Sequence, residues 1–589
     1  MLVTGRSLTG LLRRLWQQTS PKRRLQAGIL FALMVATSLA EVASIGMVVP
    51  FLGVLVSPER VYEHAFAQTY IEGLGLHQPR DLILPITVLF FVIALLAAAM
   101  RITLLWVQIR FSAALATEFS TKTYQRTLYQ PYAFHISQNS SEILAGVSKA
   151  GELGNMLITP SLVFLSSTFF LCMILSALMA IDPLVALSAL FGFASIYTVI
   201  AVLTKRRLER DSRKMSVESG RMIQALQEGL GGIRDVLIEG TQATFTDIYR
   251  SASAPFRSAV ASINIVSQSP RILVEVLGML LIAAIAYVLS TADEGLQHAI
   301  PVLGALAMGA QRLLPALQQA YASITALRGN RDSIESALSL LERPMPVAVS
   351  FESIKPLPFR QGITLDGLSF RYAPDGPWVL KNIGLIIPKG SKFGFIGATG
   401  SGKSTLLDIV MGLLPPSQGK LLIDGQAVSP HTLRAWQVHV AHVPQAIYLA
   451  DATIAENIAF GVPKDKIDFE RVKQAARQAQ IADTIEGWVQ EYQTIVGERG
   501  VRLSGGQRQR IGIARALYKQ ADVIIFDEAT SALDNETELE VMQAIESLGD
   551  NVTILIIAHR LTTLRMCSRV VELAQGSIQR IGSYADILH

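Results

Sequence analysis

The run Gly397-Ala398-Thr399-Gly400-Ser401-Gly402-Lys403-Ser404-Thr405 concentrates the residue types that handle phosphate. It follows the apolar stretch Phe393-Gly394-Phe395-Ile396 and opens an apolar-periodic segment from Leu406 to Leu414. Strand, glycine-rich loop and helix in that order are the context of a phosphate-binding P-loop. The glycines let consecutive backbone N–H groups converge on phosphate oxygens, and the helix N-terminus adds positive potential. Lys403 is placed to reach the β- and γ-phosphates of a nucleotide, and Ser404 to ligate Mg²⁺. A glycine-rich turn that binds nothing is the plainer reading, and the flanking strand and helix argue against it.

Two further runs bring chemistry to the same place. Ala521-Asp522-Val523-Ile524-Ile525-Phe526 reads as a buried strand ending in Asp527-Glu528, and Val552 to Ile557 as another ending in Ala558-His559. In open parallel sheets, ligands bind where strands end. Asp527 suits Mg²⁺, directly or through water, and Glu528 suits a general base for an attacking water. An acidic pair at a strand end is by itself only a solvated turn, so the P-loop gives this pair its meaning.

The elements that carry these groups occupy the second half of the chain, and the first half is different in kind. Half of the 589 residues are hydrophobic and 17% are charged, below the usual proportion of about a quarter. That composition indicates a membrane protein. The net charge of +5 sits in clusters beside apolar stretches, which points to a cytoplasmic membrane surface and not to nucleic acid. Cys172 and Cys567 are the two cysteines and form no disulfide framework. Arg13, Arg14, Lys22, Arg23 and Arg24 precede an apolar stretch too long for a signal peptide, so the first span is expected to stay in the membrane.

Residues 27–56 carry one charge, Glu41; residues 82–107 carry one, Arg101; residues 156–181 and 183–204 carry none. Each exceeds the roughly 20 residues that cross a bilayer. Residues 272–290, with Glu275, and 298–320, with Arg312, complete six expected spans, the sixth having the weakest pattern. Lys205, Arg206, Arg207, Arg210, Arg213 and Lys214 follow the fourth span, which places the N-terminus and the second half of the chain in the cytoplasm. The stretches after spans 2 and 4 are too long for loops and have helical composition, as in Ala113 to Tyr129 and Met222 to Glu239, so the spans should continue into the cytoplasm. Short transverse helices are expected at their tips, at Gln130 to His135 and near Gly229 to Arg234, placed to touch a soluble domain. On the outer side, Ser57 to Arg80 forms one sizeable loop whose middle, Tyr62 to Leu74, reads equally as an amphipathic helix or a solvated loop.

Ionisable residues inside spans are costly and face a partner or a cavity. Arg271 and Glu275, four apart, can pair on one helix face. Arg101 and Arg312 have no carboxylate nearby in sequence. An anionic ligand such as a lipid phosphate or pyrophosphate would satisfy them, and so would snorkelling to the interface. From Arg328 to Pro346 the composition turns polar and then proline-bearing, so a membrane domain of residues 1–340 and a nucleotide-binding domain of 341–589 are expected.

Leu503-Ser504-Gly505-Gly506-Gln507 with Arg508-Gln509-Arg510 resembles the signature sequence of ABC transporter ATPases. The fold class this implies is an α-helical membrane domain of the ABC exporter type plus an α/β P-loop ATPase domain. Tyr372 resembles the aromatic that stacks on adenine, Gln445 the glutamine that senses Mg²⁺ and the γ-phosphate, Ser531-Ala532-Leu533-Asp534 the D-loop, and His559 the switch histidine. Thr494 to Gly500 resembles the segment that exporters set against their membrane helices. The resemblance implies ATP and Mg²⁺ as cofactors and Glu528, His559 and Lys403 as the catalytic groups. It further implies a homodimer, in which Ser504, Gly505, Gly506 and Gln507 of one copy complete the nucleotide site of the other. Membrane stretches at Glu41 to Phe51, Ser141 to Leu144, Pro270 to Glu275 and Gln311 to Pro315 are similar to the flippases of lipid-linked oligosaccharides, the PglK-type branch. The implied cargo is a polyprenyl-pyrophosphate glycan, held by Arg101, Arg271 and Arg312 and carried across the inner (cytoplasmic) membrane of the cell. A lipid A or phospholipid flippase and a multidrug exporter are the alternatives. An ABC ATPase acting on nucleic acid, or one regulating a channel, is a reading of another class that the six spans disfavour.

Overall fold

The structure, a computed structural model, describes residues 8–56, 58–62, 78–181, 183–290, 296–345, 355–528, 535–546, 551–558 and 561–588. They divide into two compact units, Met1–Gln130 with Gln138–Met345, and Pro131–Ser137 with Pro346–His589.

The described residues of the first unit are helical or in short connections. A short helix α1 (Leu8–Gln18) precedes α2 (Pro21–Gly46), which starts with proline at a position where the missing N–H costs nothing. Then come α3 (Ile83–Leu128), α4 (Ser140–Gly151), α5 (Thr159–Ile181), α6 (Pro183–Gly231), α7 (Gln242–Ser290), α8 (Leu296–Gly329) and α9 (Arg331–Leu341). Among the described residues, Pro21–Gly46, Pro79–Leu128 and Gly154–Ser176 are long and apolar enough to cross a bilayer. Helices α6, α7 and α8 occupy the other three expected spans, giving six long helices among the described residues. The 46 residues of α3 reach about 70 Å, against about 30 Å of hydrocarbon, so this helix does continue well beyond a membrane. The expected outer-loop helix, Tyr62 to Leu74, lies outside the described residues except for Tyr62, which ends the short helix Pro58–Tyr62.

Burial separates the two ends of these helices. Leu84, Phe91, Leu95, Leu96, Ile102 and Leu105 of α3 all face outward, which water would penalise and lipid does not. Nearer the tip, Phe111, Leu115 and Phe119 turn inward to a core with Leu11, Leu15, Leu153, Leu157, Ile334 and Leu338. Arg14 closes this end with a two-pronged bond to Glu342, at 2.7 and 2.6 Å. Between α4 and α5 one π-helical turn, Gly154–Ile158, lies against α3, where Ser112 Oγ donates to the Gly154 carbonyl at 3.0 Å. The expected tip helices are present at Tyr132–Ser137 and Ile233–Ile238, and the first of them clusters with the second unit.

The second unit is built on two sheets. An antiparallel sheet orders β2-β1-β4-β5, with β1 at Gly362–Phe370, β2 at Leu380–Pro388, β4 at Gln418–Ile423 and β5 at Gln426–Ala427. A six-stranded sheet orders β10-β9-β3-β8-β7-β6, where β3 is Lys392–Ile396, β6 Val440–Val443, β7 Val523–Asp527, β8 Thr553–Ile557, β9 Arg569–Ala574 and β10 Ser577–Gly582. Its strands β9, β3, β8, β7 and β6 pair in parallel, and the two in its middle, β7 and β8, are buried along Val523–Phe526 and Ile554–Ile557, the apolar runs expected of a sheet covered on both faces. Parallel pairing brings the carboxyl ends of β3, β6, β7 and β8 to one edge.

Candidate functional site

At that edge β3 delivers the 397–402 loop and α10 (Lys403–Val410) follows it. Gly397 and Gly402 have φ of 143° and 100°, where a side chain is strained. A Cβ on Gly397 would also lie 2.1 Å from the Leu573 carbonyl oxygen, and one on Gly402 2.7 Å from Leu380. The two glycines are thus required by the walls of the loop, whereas Ala398, Thr399 and Gly400 form its open rim. Lys403 is buried and arches back over the loop, donating to the carbonyls of Gly397 at 2.8 Å and Ala398 at 3.1 Å. Ser401 Oγ is buried with no hydrogen-bond partner, a cost that a bound phosphate oxygen would remove. Ser404 is exposed beside this rim, and Thr405 Oγ1 lies 3.1 Å from the Tyr372 hydroxyl.

Strands β6 and β7 supply the second set of groups. Register pairs Val443 with Phe526, so Gln445 and Glu528 leave the sheet side by side. Gln445 Nε2 donates to Glu528 Oε2 at 2.6 Å. Glu528 has a left-handed φ of 51°, and its N–H is held by the Ile557 carbonyl of β8 at 3.1 Å. An unfavourable backbone held from two directions is a mark of a functional position. Asp527, the last residue of β7, pairs in register with Ile557.

Asp408, on the inner face of α10, was not singled out by sequence reasoning. Burial first, and then the Asp527 carboxylate, push its carboxyl up to about 6. A divalent cation beside Asp527 would relieve that repulsion, so these residues and the orphaned Ser401 hydroxyl fit a nucleotide with its Mg²⁺. The legible signal was position alone, since Asp408 lies on the P-loop's own helix. Gln509, which the signature motif includes without assigning it a contact, is buried and donates to the Glu528 carbonyl at 3.4 Å.

Tyr372 is exposed and packs edge-on to Phe370 at 5.0 Å, leaving a ring available for stacking. A groove of about 680 Å³ runs past it, lined by Tyr132, Ile136, Phe370, Asp408 and Pro415 among others. Burial, followed by the charges of Asp408 and Tyr372, raises the Tyr132 phenol above its ordinary range. Ser504 caps the N-terminus of α11 (Gly505–Lys519) through a reciprocal pair: its Oγ accepts from Gln507 N–H at 3.2 Å, and Gln507 Oε1 accepts from Ser504 N–H at 2.9 Å. All the bonds of Ser504 stay within its own helix, which leaves Gly505 and Gly506 in a first turn whose N–H groups lack helical partners. Asp534 and His559 lie outside the described residues.

In the membrane unit, Arg271 Nε donates to Glu275 Oε1 at 2.7 Å, within one helix. Arg101 does have a carboxylate neighbour: Glu41 of α2, with Nη1 and Oε1 at 3.6 Å. Sequence separation hid this partner, because only helix packing brings α2 and α3 together. The Arg312 side chain lies outside the described residues.

Comparison with known proteins agrees with this architecture. Residues 380–531 match the ABC transporter family and residues 27–297 the ABC transporter transmembrane region. The chain is 32% identical over 401 residues to the ATP-dependent lipid A-core flippase of Alkalilimnicola ehrlichii, covering 68% of this chain and 67% of that protein. It is 31% identical over 385 residues to the ATP-dependent lipid A-core flippase of Cupriavidus metallidurans; that match covers 65% of this chain and spans 64% of the relative's length. A solved structure of a bacterial Atm1-family ABC exporter with ATP bound shares the fold, with a TM-score of 0.78 and 23% identity over 96% of each chain. A multi-pass helical domain joined to a P-loop ATPase domain, with this similarity across both, makes the chain a member of the ABC transporter family.

Proposed function

We propose that the chain is one half of an ATP-driven flippase that moves an anionic glycolipid of the lipid A-core class across a bacterial inner membrane. The observation that carries the ATP reading is the meeting of the 397–405 loop, Gln445, Asp527 and Glu528 at one sheet edge. In this reading Lys403 exchanges its two loop carbonyls for the β- and γ-phosphates, and the N–H groups of the loop hold their oxygens. Ser404, Gln445 and Asp527 would hold Mg²⁺, which supplies positive charge against the phosphates. Glu528, oriented by Gln445, takes the proton of the attacking water. Tyr372 stacks on the base, and Tyr132, lining the same groove, is placed to register its presence.

The open first turn of α11 needs an anion to face it. A second copy of the chain would present Ser504, Gly505, Gly506 and Gln507 to the γ-phosphate across the site, making a homodimer with two sites. Asp534 and His559 would complete each site. Binding then favours the closed pair of domains, and hydrolysis removes that preference. The long helices carry the change to the membrane.

The cargo reading is supported by the named relatives, which are about one-third identical to this chain. A polyprenyl-pyrophosphate glycan is the second reading, favoured by the short membrane motifs and by Arg101, Arg271 and Arg312. The test is purified protein in proteoliposomes, assayed for ATP hydrolysis and for translocation of each lipid class. Translocation of the lipid A-core glycolipid is expected. Response to the pyrophosphate glycan alone would replace the first cargo by the second, and response to apolar drugs alone would overturn both.

A further inference from the structure

A small cavity of about 80 Å³ lies among α2, α3, α5 and α8, where the apolar Leu104 and Phe170 share the wall with Thr37, Ser38, Glu41, Arg101 and Gln319. It has room for a few waters and is too small for a glycolipid headgroup. Ser167 donates to Gln319 Oε1 at 3.4 Å, which leaves the Gln319 amide N–H groups as donors there, whereas three other hydroxyls spend their protons on their own helices: Thr37 donates to the Leu33 carbonyl at 2.8 Å, Ser38 to Met34 at 2.9 Å and Ser166 to Val163 at 3.1 Å. What they turn toward the cavity is therefore acceptor oxygen. The Glu41 carboxylate adds to it, and its side chain is 7% exposed.

Arg101 stands between this acceptor-rich interior and the outside. Its side chain is 57% exposed, and its 3.6 Å approach to Glu41 is too long for a hydrogen bond, so what joins these two groups is charge. In a low dielectric such a pair is strong enough to hold a flexible arginine and loose enough to be exchanged. We propose that Glu41 is a built-in competitor: it holds Arg101 in the cargo-free state, and the phosphate of an anionic lipid headgroup must displace it. Glu41 is thus a positioning residue that sets the affinity for cargo and returns Arg101 when the cargo leaves. This inference rests on the flippase reading for its cargo, and its test separates the two.

Full-length protein is purified in detergent with a titrated anionic phospholipid, and lipid retained per chain is measured by native mass spectrometry, a readout that needs no transport. Glu41→Gln should tighten retention of the anionic lipid about tenfold, with phosphatidylcholine retention unaltered. Glu41→Asp should restore wild-type retention. In an Arg101→Ala background Glu41→Gln should change nothing, because the interaction term vanishes with either partner. Unchanged or weaker anionic retention in Glu41→Gln would overturn the proposal, as would the same gain without Arg101. In proteoliposomes the same variant should lower both the half-stimulating glycolipid concentration and the maximal translocation rate. A wild type that retains anionic phospholipid but translocates no glycolipid sinks the cargo reading and leaves the competition at Glu41 standing.

Discussion

Two cations in this molecule are held in opposite ways. Lys403 is buried, and two loop carbonyls at 2.8 and 3.1 Å fix its ammonium where a nucleotide's phosphates would lie. Arg101 is more than half exposed and meets its carboxylate at 3.6 Å, beyond hydrogen-bond range. The surroundings follow suit. The loop about Lys403 has glycines that tolerate no side chain, and Glu528 is clamped by Gln445 and by β8. The cavity about Arg101 presents the Glu41 carboxylate, hydroxyl oxygens and the Gln319 amide. Chemistry at a phosphate gains from groups that are already in place, because reorganisation during reaction is costly. Cargo handling gains from groups that can let go, since a site that binds too well stalls release.

The sharpest way to break the comparison is to disturb the rigid site. Glu528→Gln should lower steady-state phosphate release by about 10²–10⁴-fold, while a fluorescent ATP analogue still binds. Undiminished hydrolysis would remove Glu528 from the base role. Gly397→Ala forces a Cβ against the Leu573 carbonyl and should destabilise the ATPase unit by about 2–3 kcal/mol, read as a lowered melting midpoint and lost nucleotide binding. A variant that melts and binds like the wild type would show that the loop is less fixed than described.

Disturbing the loose site should cost less. Arg101→Ala is expected to reduce lipid translocation about tenfold, and basal hydrolysis less. Equal losses in both would make Arg101 a folding residue and erase the contrast. The smallest effect is expected at Asp408. Its carboxyl titrates near 6, above the usual 3.8, so the unfolded chain ionises first and stability falls as pH rises from about 4 to about 6. Asp408→Asn should escape that fall. Without nucleotide or metal it should match the wild type below pH 4 and exceed it by about 1 kcal/mol above pH 6, after allowance for solvent screening. A difference that does not vary with pH would deny the Asp408–Asp527 repulsion.

How much was legible in the sequence differs between the same two regions. The P-loop, the acidic pair after β7 and the six apolar stretches are local patterns, in which a few consecutive residues dictate both conformation and chemistry. The glycines stand where the loop needs them, Gly397 and Gly402 at positions that admit no side chain, and Ser504 with Gln507 spells a helix cap three residues long. The contacts of Asp408 and Gln509 could not be read, because each acts on a partner that belongs to a distant strand. The same holds for Glu41 and Arg101, which are 60 positions apart and looked like two separate anomalies.

The sequence by itself determined that the chain has membrane-spanning helices, that its second half is a P-loop fold, and which residues bring phosphate chemistry. Those properties depend on hydrophobic run length and on backbone conformations that only certain residues adopt. Tertiary structure alone decided which charges meet: Gln445 with Glu528, Asp408 with Asp527, and Arg101 with Glu41. Coulombic and hydrogen-bond energies depend on distance in space and on local burial, and neither is set until strand register and helix packing bring remote residues together.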